Sequence, residues 1–189
     1  MSGQVIALDK PFERIGVEQV AGRIGAVVTG VRLSGSLDDA TFAEIERALL
    51  KHKVVFFRGQ DHLDDAEQEA FGARFGRVVA HPTVAAPKGT RIFELDSQGG
   101  GGRADSWHTD VTFVEAFPKV SVLRAVEVPA FGGDTVWANS VAAYEQLSPA
   151  LKQLAEQLWA IHTNDYDYAA TRAHVEAERL KHHENVFVS

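Results

Sequence analysis

The chain contains 189 residues with 45% hydrophobic and 24% charged side chains, a composition typical of one globular domain with a sizeable core. Its formal net charge of −7, together with the lack of any Lys- or Arg-rich run, disfavours nucleic acid as a partner. Because there is no cysteine, disulfides, zinc–thiolate sites and cysteine nucleophiles are excluded, so any metal must be bound by His, Asp or Glu.

The N-terminal residues 1–16 do not resemble a targeting segment, because they lack the apolar centre of a signal peptide. No later stretch approaches the roughly 18 consecutive apolar residues that a transmembrane helix needs. We therefore predict a soluble, cytoplasmic protein without a membrane partner.

The hydrophobic pattern of the first half of the chain predicts both strands and helices. Residues 23–33 are rich in β-branched side chains and are interrupted by glycines, which indicates one or two strands with a bend. Residues 53–57 form a continuous apolar run, typical of a buried strand. Apolar side chains recur at helical spacing over about 38–52 and 64–75, which predicts two helices.

The second half predicts further short strands, over 91–95, 120–128 and 134–138. A helix is predicted from Ser148 to about Ile161, because a serine cap is followed by proline at the first helical position. The polar tail from 163 to 182 is compatible with another helix. Strands and helices thus occur in irregular order without a repeat, which predicts an α+β fold with a mainly antiparallel sheet.

The stretch Asp105–Phe113 carries a histidine and a carboxylate separated by a single residue, His108 and Asp110. On a strand, residues i and i+2 point to the same face, so both side chains would enter one space. Such a pair supplies two ligands of the 2-His-1-carboxylate triad of non-haem Fe(II) oxygenases, although it is also compatible with a surface hydrogen bond. Residues 97–105, which include four consecutive glycines, predict either a linker or a lid over a site.

Two further motifs accompany the pair in a fixed order. His81-Pro82 precedes the run Trp107–Phe113 (WHTDVTF), and residues 132–137 (GGDTVW) follow it. This set, over about residues 24–168, resembles the taurine dioxygenase family of Fe(II)- and 2-oxoglutarate-dependent oxygenases, and is similar above all to its bacterial alkyl sulfatase-like members. The resemblance implies a double-stranded β-helix, or jelly roll, flanked by helices, with residues 1–189 forming a single, incomplete dioxygenase domain.

The resemblance also implies roles for individual residues. His108 and Asp110 would be catalytic residues and the first two Fe(II) ligands, with 2-oxoglutarate and O2 as cosubstrates. Thr135 would bind a carboxylate of 2-oxoglutarate, while His81 and Val111 would bind the substrate, with His81 facing its sulfonate or sulfate head. Without the resemblance, Thr135 is equally typical of a β-branched strand residue and His81 of an exposed turn histidine.

The chain departs from the family pattern at its C-terminal end. The family's third iron ligand, a distal histidine, and the arginine that pairs with 2-oxoglutarate have no counterpart in these residues. None of the later histidines, from His162 to His183, lies in the distal motif, and His162 is interpreted as a residue at a helix end. We therefore expect a C-terminally incomplete chain. The resemblance also carries the expectation of a homo-oligomer.

The substrate end departs as well, with Val84 where taurine-specific members have a tyrosine and residues 104–106 in place of an asparagine-rich run. An apolar lining suits an alkyl chain, because each buried methylene contributes about 0.8 kcal/mol. The sequence therefore predicts hydroxylation of the carbon next to the sulfonate or sulfate of an alkylsulfonate or alkyl sulfate. Sulfite or sulfate and an aldehyde would be released, in the service of sulfur acquisition. The alternatives are an aryloxyalkanoate or other carboxylate substrate, and a non-catalytic metal- or ligand-binding jelly-roll fragment.

Overall fold

The computed structural model describes residues 7–82, 86, 89–96, 107–163 and 187–188. The chain divides into two compact units. The first unit comprises Met1–Asp64 and Ala125–Glu156, and the second unit comprises Asp65–Arg124 and Gln157–Ser189. The predicted loop 97–105, the predicted helix 163–182 and Val84 lie outside the described residues, apart from position 163.

A three-stranded mixed sheet forms the centre of the first unit. Its strands are β1 (Gly16–Gln19), β2 (Ala26–Thr29) and β3 (Val55–Phe57), in the order β1-β2-β3. Strands β1 and β2 are antiparallel, whereas β2 and β3 are parallel and are joined by the helical crossover that a parallel pair requires. The bend predicted within 23–33 is confirmed at Gly25, whose φ of +87° favours glycine.

Helix α1 (Asp39–His52) forms that crossover, and its N-terminal end follows from the sequence. The side chain of Asp38 accepts a hydrogen bond from the Thr41 backbone N–H at 3.0 Å, which caps the first turn. The apolar side chains at helical spacing lie on the buried face, where Ile45 is fully buried. Burial of a side chain of this size contributes about 1.5–3 kcal/mol. The predicted helix over 38–52 is therefore confirmed.

A buried carboxylate, Glu44, attaches the N-terminal segment to α1. Its oxygens accept hydrogen bonds from the backbone N–H groups of Glu13 (2.9 and 3.1 Å), Arg14 (2.9 Å) and Ile15 (3.3 Å). The guanidinium of Arg47, on the same helix, lies 3.6 Å from the Glu44 carboxylate. Burial raises the pKa of Glu44, but the three backbone donors and Arg47 together outweigh it, so that the net pKa is lowered. The carboxylate thus stays ionised at the edge of the core.

The rest of the first unit contains two short helices and no strand among its described residues. Helix α3 (Ser140–Glu145) begins after the Asn139 cap, and α4 (Pro149–Ala155) begins after the Ser148 cap. Helix α4 ends earlier than the predicted 161. The predicted strand over 134–138 is wrong, since those residues form no ladder, and a strand is stable only where a neighbour pairs with its backbone.

The second unit begins with helix α2 (Asp65–Ala73), whose Phe71 side chain is buried and meets Phe75 edge-on at 5.5 Å. Residues 91–95 and 120–124 are irregular, so the strands predicted there are also wrong for lack of a pairing neighbour. A two-residue ladder joins β4 (Ile161–His162) to β5 (Phe187–Val188). His162 therefore lies on a strand rather than at a helix end.

The described parts of both units confirm the coarse α+β prediction, with a mixed sheet and helices. The three-stranded sheet is only partly antiparallel, because β3 runs parallel to β2. None of the helices within the described ranges is long and apolar enough to cross a bilayer.

Candidate functional site

His108 and Asp110 meet on an irregular segment of the second unit. Residues 107–109 have no regular structure, and a turn begins at Asp110, so the predicted strand geometry is wrong here. The side chains nevertheless lie together, with His108 Nε2 3.1 Å from Asp110 Oδ1. Both are about half exposed, at 50% and 57%, so a ligand from solvent can reach them.

The turn owes its shape to Val111, the residue that follows Asp110. Its φ is +50°, a left-handed conformation that is rare for a β-branched side chain and costs on the order of 1–3 kcal/mol. Such strain persists only where the surrounding structure holds it, and it is concentrated at functional sites. The resemblance to the family predicts that the half-buried Val111 binds substrate, and that role stays a prediction.

The geometry of the His108–Asp110 pair fits a divalent metal. Two ligands that lie about 2.1 Å from one octahedral ion, at right angles, are about 3.0 Å apart. The observed 3.1 Å matches this separation, and imidazole and carboxylate are both suitable ligands for Fe(II). The same distance allows an N–H···O hydrogen bond, which would hold the pair together before a metal enters. Among the described residues, no group of three or more potential ligands occurs.

The second oxygen of the Asp110 carboxylate is also engaged. Ser121 Oγ donates a hydrogen bond to Asp110 Oδ2 at 3.2 Å, across ten intervening residues. One carboxylate oxygen therefore faces His108 and the other faces Ser121. This arrangement fixes the plane of the carboxylate.

Helix α2 holds the segment that carries Ser121. Gln68 Nε2 donates to the Val122 carbonyl at 3.0 Å, and Gln68 Oε1 accepts from Arg124 Nε at 2.9 Å. Arg124 also forms an ion pair with Asp65 at the start of the same helix. Two helix residues thus bind two residues of the segment, which limits its movement.

The second predicted site histidine, His81, is half-buried and packs against Phe93. The two ring centroids are 5.3 Å apart, and the rings are tilted by 38°. Arg91, two residues before Phe93, donates its backbone N–H to the Glu69 carboxylate. The Arg91 guanidinium also lies 3.8 Å from that carboxylate. His81 therefore rests on a segment that is attached to α2, and its predicted role in substrate binding stays a prediction.

Thr135 belongs to the first unit, whereas the His108–Asp110 pair belongs to the second. Its side chain is exposed on an irregular segment. The preceding glycines, Gly132 and Gly133, take φ values of +79° and +71°, which explains why two glycines stand there. The role of Thr135 in binding 2-oxoglutarate stays a prediction.

Sequence reasoning missed the residues that support the site, Ser121, Gln68, Arg124 and Phe93. A signal for two of them was present. Ser121 and Arg124 are polar residues within an otherwise apolar run, and polar residues at such positions usually have a specific partner. No local pattern identified Gln68 or Phe93, because their partners are distant in sequence.

Residues 16–187 match the family described as taurine catabolism dioxygenase TauD, TfdA family. The chain belongs to this family. The membership expected from the WHTDVTF and GGDTVW motifs is therefore confirmed.

Two known proteins are more than half identical to the chain. The alpha-ketoglutarate-dependent sulfate ester dioxygenase of Pseudomonas putida is 53% identical over 190 residues, which cover 100% of the chain and 63% of the relative. The alkylsulfatase of Acinetobacter baylyi is 54% identical over 183 residues, which cover 96% of the chain and 57% of the relative. The chain thus spans about three fifths of the length of these relatives.

The solved structures include a taurine dioxygenase from Burkholderia xenovorans that is 38% identical, with a TM-score of 0.67. The match covers 79% of the chain and 54% of that structure. The described fold is therefore similar to the corresponding part of a TauD/TfdA dioxygenase.

Proposed function

We propose that this chain, in a protein of the full length of its relatives, is an Fe(II)- and 2-oxoglutarate-dependent dioxygenase that acts on alkyl sulfates or longer alkylsulfonates. The observation that carries the proposal is the 3.1 Å approach of His108 Nε2 and Asp110 Oδ1 in a chain that belongs to the TauD/TfdA family. We call that longer molecule the full-length protein. Its fold is a jelly roll flanked by helices, and residues 1–189 form most of a single dioxygenase domain.

His108 and Asp110 would hold the ferrous ion, with a third ligand supplied elsewhere in the full-length protein. Bound Fe(II), with 2-oxoglutarate and O2, would supply the oxidation, in which one oxygen atom would enter succinate, the other would enter the substrate, and CO2 would be released. The Asp110 carboxylate would reduce the net positive charge of the site, while the imidazole of His108 would supply the second of these two ligands.

The remaining residues bind and orient the two organic molecules. The Thr135 hydroxyl donates a hydrogen bond to a carboxylate of 2-oxoglutarate. The His81 imidazole, kept in place by Phe93, donates an N–H to a sulfate or sulfonate oxygen. Val111 presents an apolar side chain beside the ligand pair, where an alkyl chain displaces water and gains affinity.

The proposed reaction converts the CH2 next to the sulfate ester oxygen into CH(OH). The hydroxyl proton then leaves, a C=O bond forms, and the C–O bond to sulfate breaks. An alkyl sulfate, 2-oxoglutarate and O2 thus give an aldehyde, hydrogen sulfate, succinate and CO2. The 53% identity to a sulfate ester dioxygenase supports this substrate class over taurine. Release of inorganic sulfate would suit a role in sulfur acquisition.

We expect the full-length protein, supplied with Fe(II), 2-oxoglutarate and O2, to turn over a medium-chain alkyl sulfate at least about tenfold more efficiently than taurine. The physical reason is the burial of four to six methylenes at about 0.8 kcal/mol each, of which only part is realised in the transition state. The measurement is kcat/KM for succinate release, with sulfate and aldehyde quantified in parallel.

Each competing substrate gives its own products in this assay. Preference for taurine, with sulfite release, would reject the alkyl sulfate assignment while retaining the oxygenase. An aryloxyalkanoate that yields a phenol and glyoxylate with higher kcat/KM would reject the organosulfur class. Metal binding without succinate from any of these substrates would favour the non-catalytic alternative.

The absence of a nucleic-acid partner and the homo-oligomeric state stay predictions.

A further inference from the structure

The two oxygens of the Asp110 carboxylate contact two different side chains. Oδ1 lies 3.1 Å from His108 Nε2, and Oδ2 accepts the hydroxyl of Ser121 at 3.2 Å. The carboxylate is 57% exposed, so without the serine only its contact with His108 would restrain rotation about its terminal torsion, which is broad and roughly two-fold. The hydroxyl therefore selects one orientation, in which Oδ1 is presented on the same side as the imidazole.

This orientation matters because a monodentate carboxylate ligand offers the metal only one oxygen. If the group rotates, the distance between its nearest oxygen and the imidazole changes, and the two ligands no longer fit adjacent positions of one ion. Loss of a hydrogen bond that orients a ligand in this way typically lowers metal affinity by about ten- to a hundredfold. At 3.2 Å, the hydrogen bond from the Ser121 hydroxyl is longer than the usual O–H···O distance of about 2.5–3.0 Å, which favours the lower figure.

The position of Ser121 is in turn set by helix α2. Val122, the next residue, accepts the Gln68 side-chain N–H at 3.0 Å, and Gln68 accepts from Arg124 at 2.9 Å. Because residues 121–124 belong to no strand, this side-chain network replaces the ladder that would otherwise fix the backbone. Helix α2 therefore positions the Asp110 carboxylate indirectly. Gln68 holds the Val122 carbonyl, and the adjacent Ser121 hydroxyl binds the carboxylate.

We propose that Ser121 is a positioning residue for the metal-binding carboxylate of Asp110, and that Gln68 keeps Ser121 in place. The inference rests on the proposed function only in that Asp110 binds a divalent metal. Neither residue is proposed as a ligand of the metal or as a contact of the substrate. Their effect is on the geometry of a ligand, so it is expressed in metal affinity rather than in the stability of the fold.

The test is titration of the metal-free full-length protein with Mn(II), a redox-stable substitute for Fe(II). Electron paramagnetic resonance distinguishes free from bound Mn(II) and so gives the Kd. We expect Ser121→Ala to raise the Kd by about tenfold. Ser121→Thr, which retains the hydroxyl, should restore it to within about threefold of the parent. The matched control is Ser36→Ala, which removes another exposed serine hydroxyl, one that lies 2.8 Å from Ser34 Oγ in the first unit.

A second variant tests the link through α2. Gln68→Glu has almost the same volume and keeps an acceptor for Arg124, but it loses the N–H that binds the Val122 carbonyl. We expect it to raise the Kd for Mn(II) several-fold. The melting temperature of each variant, measured without metal, shows whether a change in Kd accompanies a change in the fold.

The proposal is overturned if Ser121→Ala binds Mn(II) as tightly as the parent, or if Ser121→Thr is as weak as Ser121→Ala. A loss of affinity matched by Ser36→Ala would also overturn it. Failure of the proposed function looks different, because His108→Ala and Asp110→Asn would then leave Mn(II) binding unchanged. The positioning role is supported only when those two variants abolish binding and Ser121→Ala weakens it.

Discussion

Replacing either His108 or Asp110 with alanine should lower Fe(II)-dependent succinate formation by the full-length protein to below about one per cent of the parent rate. A hundredfold loss corresponds to about 2.7 kcal/mol of transition-state stabilisation. Each substitution removes one of the two proposed metal ligands, whose atoms lie 3.1 Å apart. Loss of one ligand leaves too few protein donors to hold the ion and orient 2-oxoglutarate beside it.

The exposure of the two side chains makes this experiment easy to interpret. At 50% and 57% exposure, neither contributes to a core, so truncation should change the free energy of unfolding by less than about 0.5 kcal/mol. The matched control is Glu115→Ala, an exposed carboxylate on the same segment, which should retain parental turnover. Succinate formation near the parental rate in His108→Ala or Asp110→Ala would remove the metal assignment.

The part of the fold that sequence reasoning predicted is the part that local interactions determine. The cap at Asp38 and the apolar spacing along α1 act within a few residues, so both appear in the pattern. Strand β3 was recognised as a continuous apolar run, and its parallel partner β2 as a β-branched one. The predicted burial of β3 is wrong, since Phe56 is 40% exposed. The bend before β2 could be predicted from Gly25, because glycine is needed there for its positive φ, which is a local requirement, and not for a contact with a distant residue.

The strands that failed are those whose formation depends on distant partners. Residues 120–128 and 134–138 are apolar and β-branched, yet Val126, Val128 and Val136 are exposed at 82%, 69% and 69%. A β-branched run favours extended backbone, but it becomes a strand only when another segment pairs with it. The composition of these residues therefore predicts a capacity for pairing, and no local signal reveals whether a partner is present.

The candidate site shows the same division. The spacing of His108 and Asp110 identified the pair, and the two side chains do meet. They meet through a turn whose shape depends on Val111 at a φ of +50°, which no propensity would assign to valine. The Ser121 contact joins segments eleven positions apart, and the Gln68 contact joins segments 54 positions apart. Such contacts are consequences of tertiary structure, so the pattern of residues cannot specify them.

The largest expected effect on stability belongs to Glu44, which no functional motif includes. Replacing it with alanine should lower the free energy of unfolding by about 3 kcal/mol, because three backbone N–H groups at the edge of the core lose their acceptor. Glu44→Gln should cost about 1–2 kcal/mol, since the amide keeps one oxygen but loses the charge that strengthens these bonds. Urea denaturation followed by circular dichroism measures both changes.

Glu18→Gln is the matched control, because it makes the same change at an exposed carboxylate on β1. It should alter the free energy of unfolding by less than about 0.5 kcal/mol. Amide hydrogen exchange provides a local measurement: Glu44→Ala should increase exchange at residues 13–15, whose N–H groups bind the carboxylate. Unchanged exchange at these residues would contradict the role assigned to Glu44.

The pH dependence of stability gives a second test of the same carboxylate. Burial raises the pKa of Glu44, yet the three backbone donors and Arg47 lower it further, so its folded pKa lies below the ordinary value of 4.5. Above pH 4.5 the unfolded chain has also released this proton, and the contribution of the ionised group to stability is complete. As the pH falls below that value, the unfolded state binds the proton first, and stability is lost until the folded pKa is passed. Glu44→Gln cannot titrate, so its stability should fall less steeply than that of the parent below pH 4.5, whereas Glu18→Gln should follow the parent. Parallel curves for the parent and Glu44→Gln would show that the carboxylate is not held ionised by its neighbours.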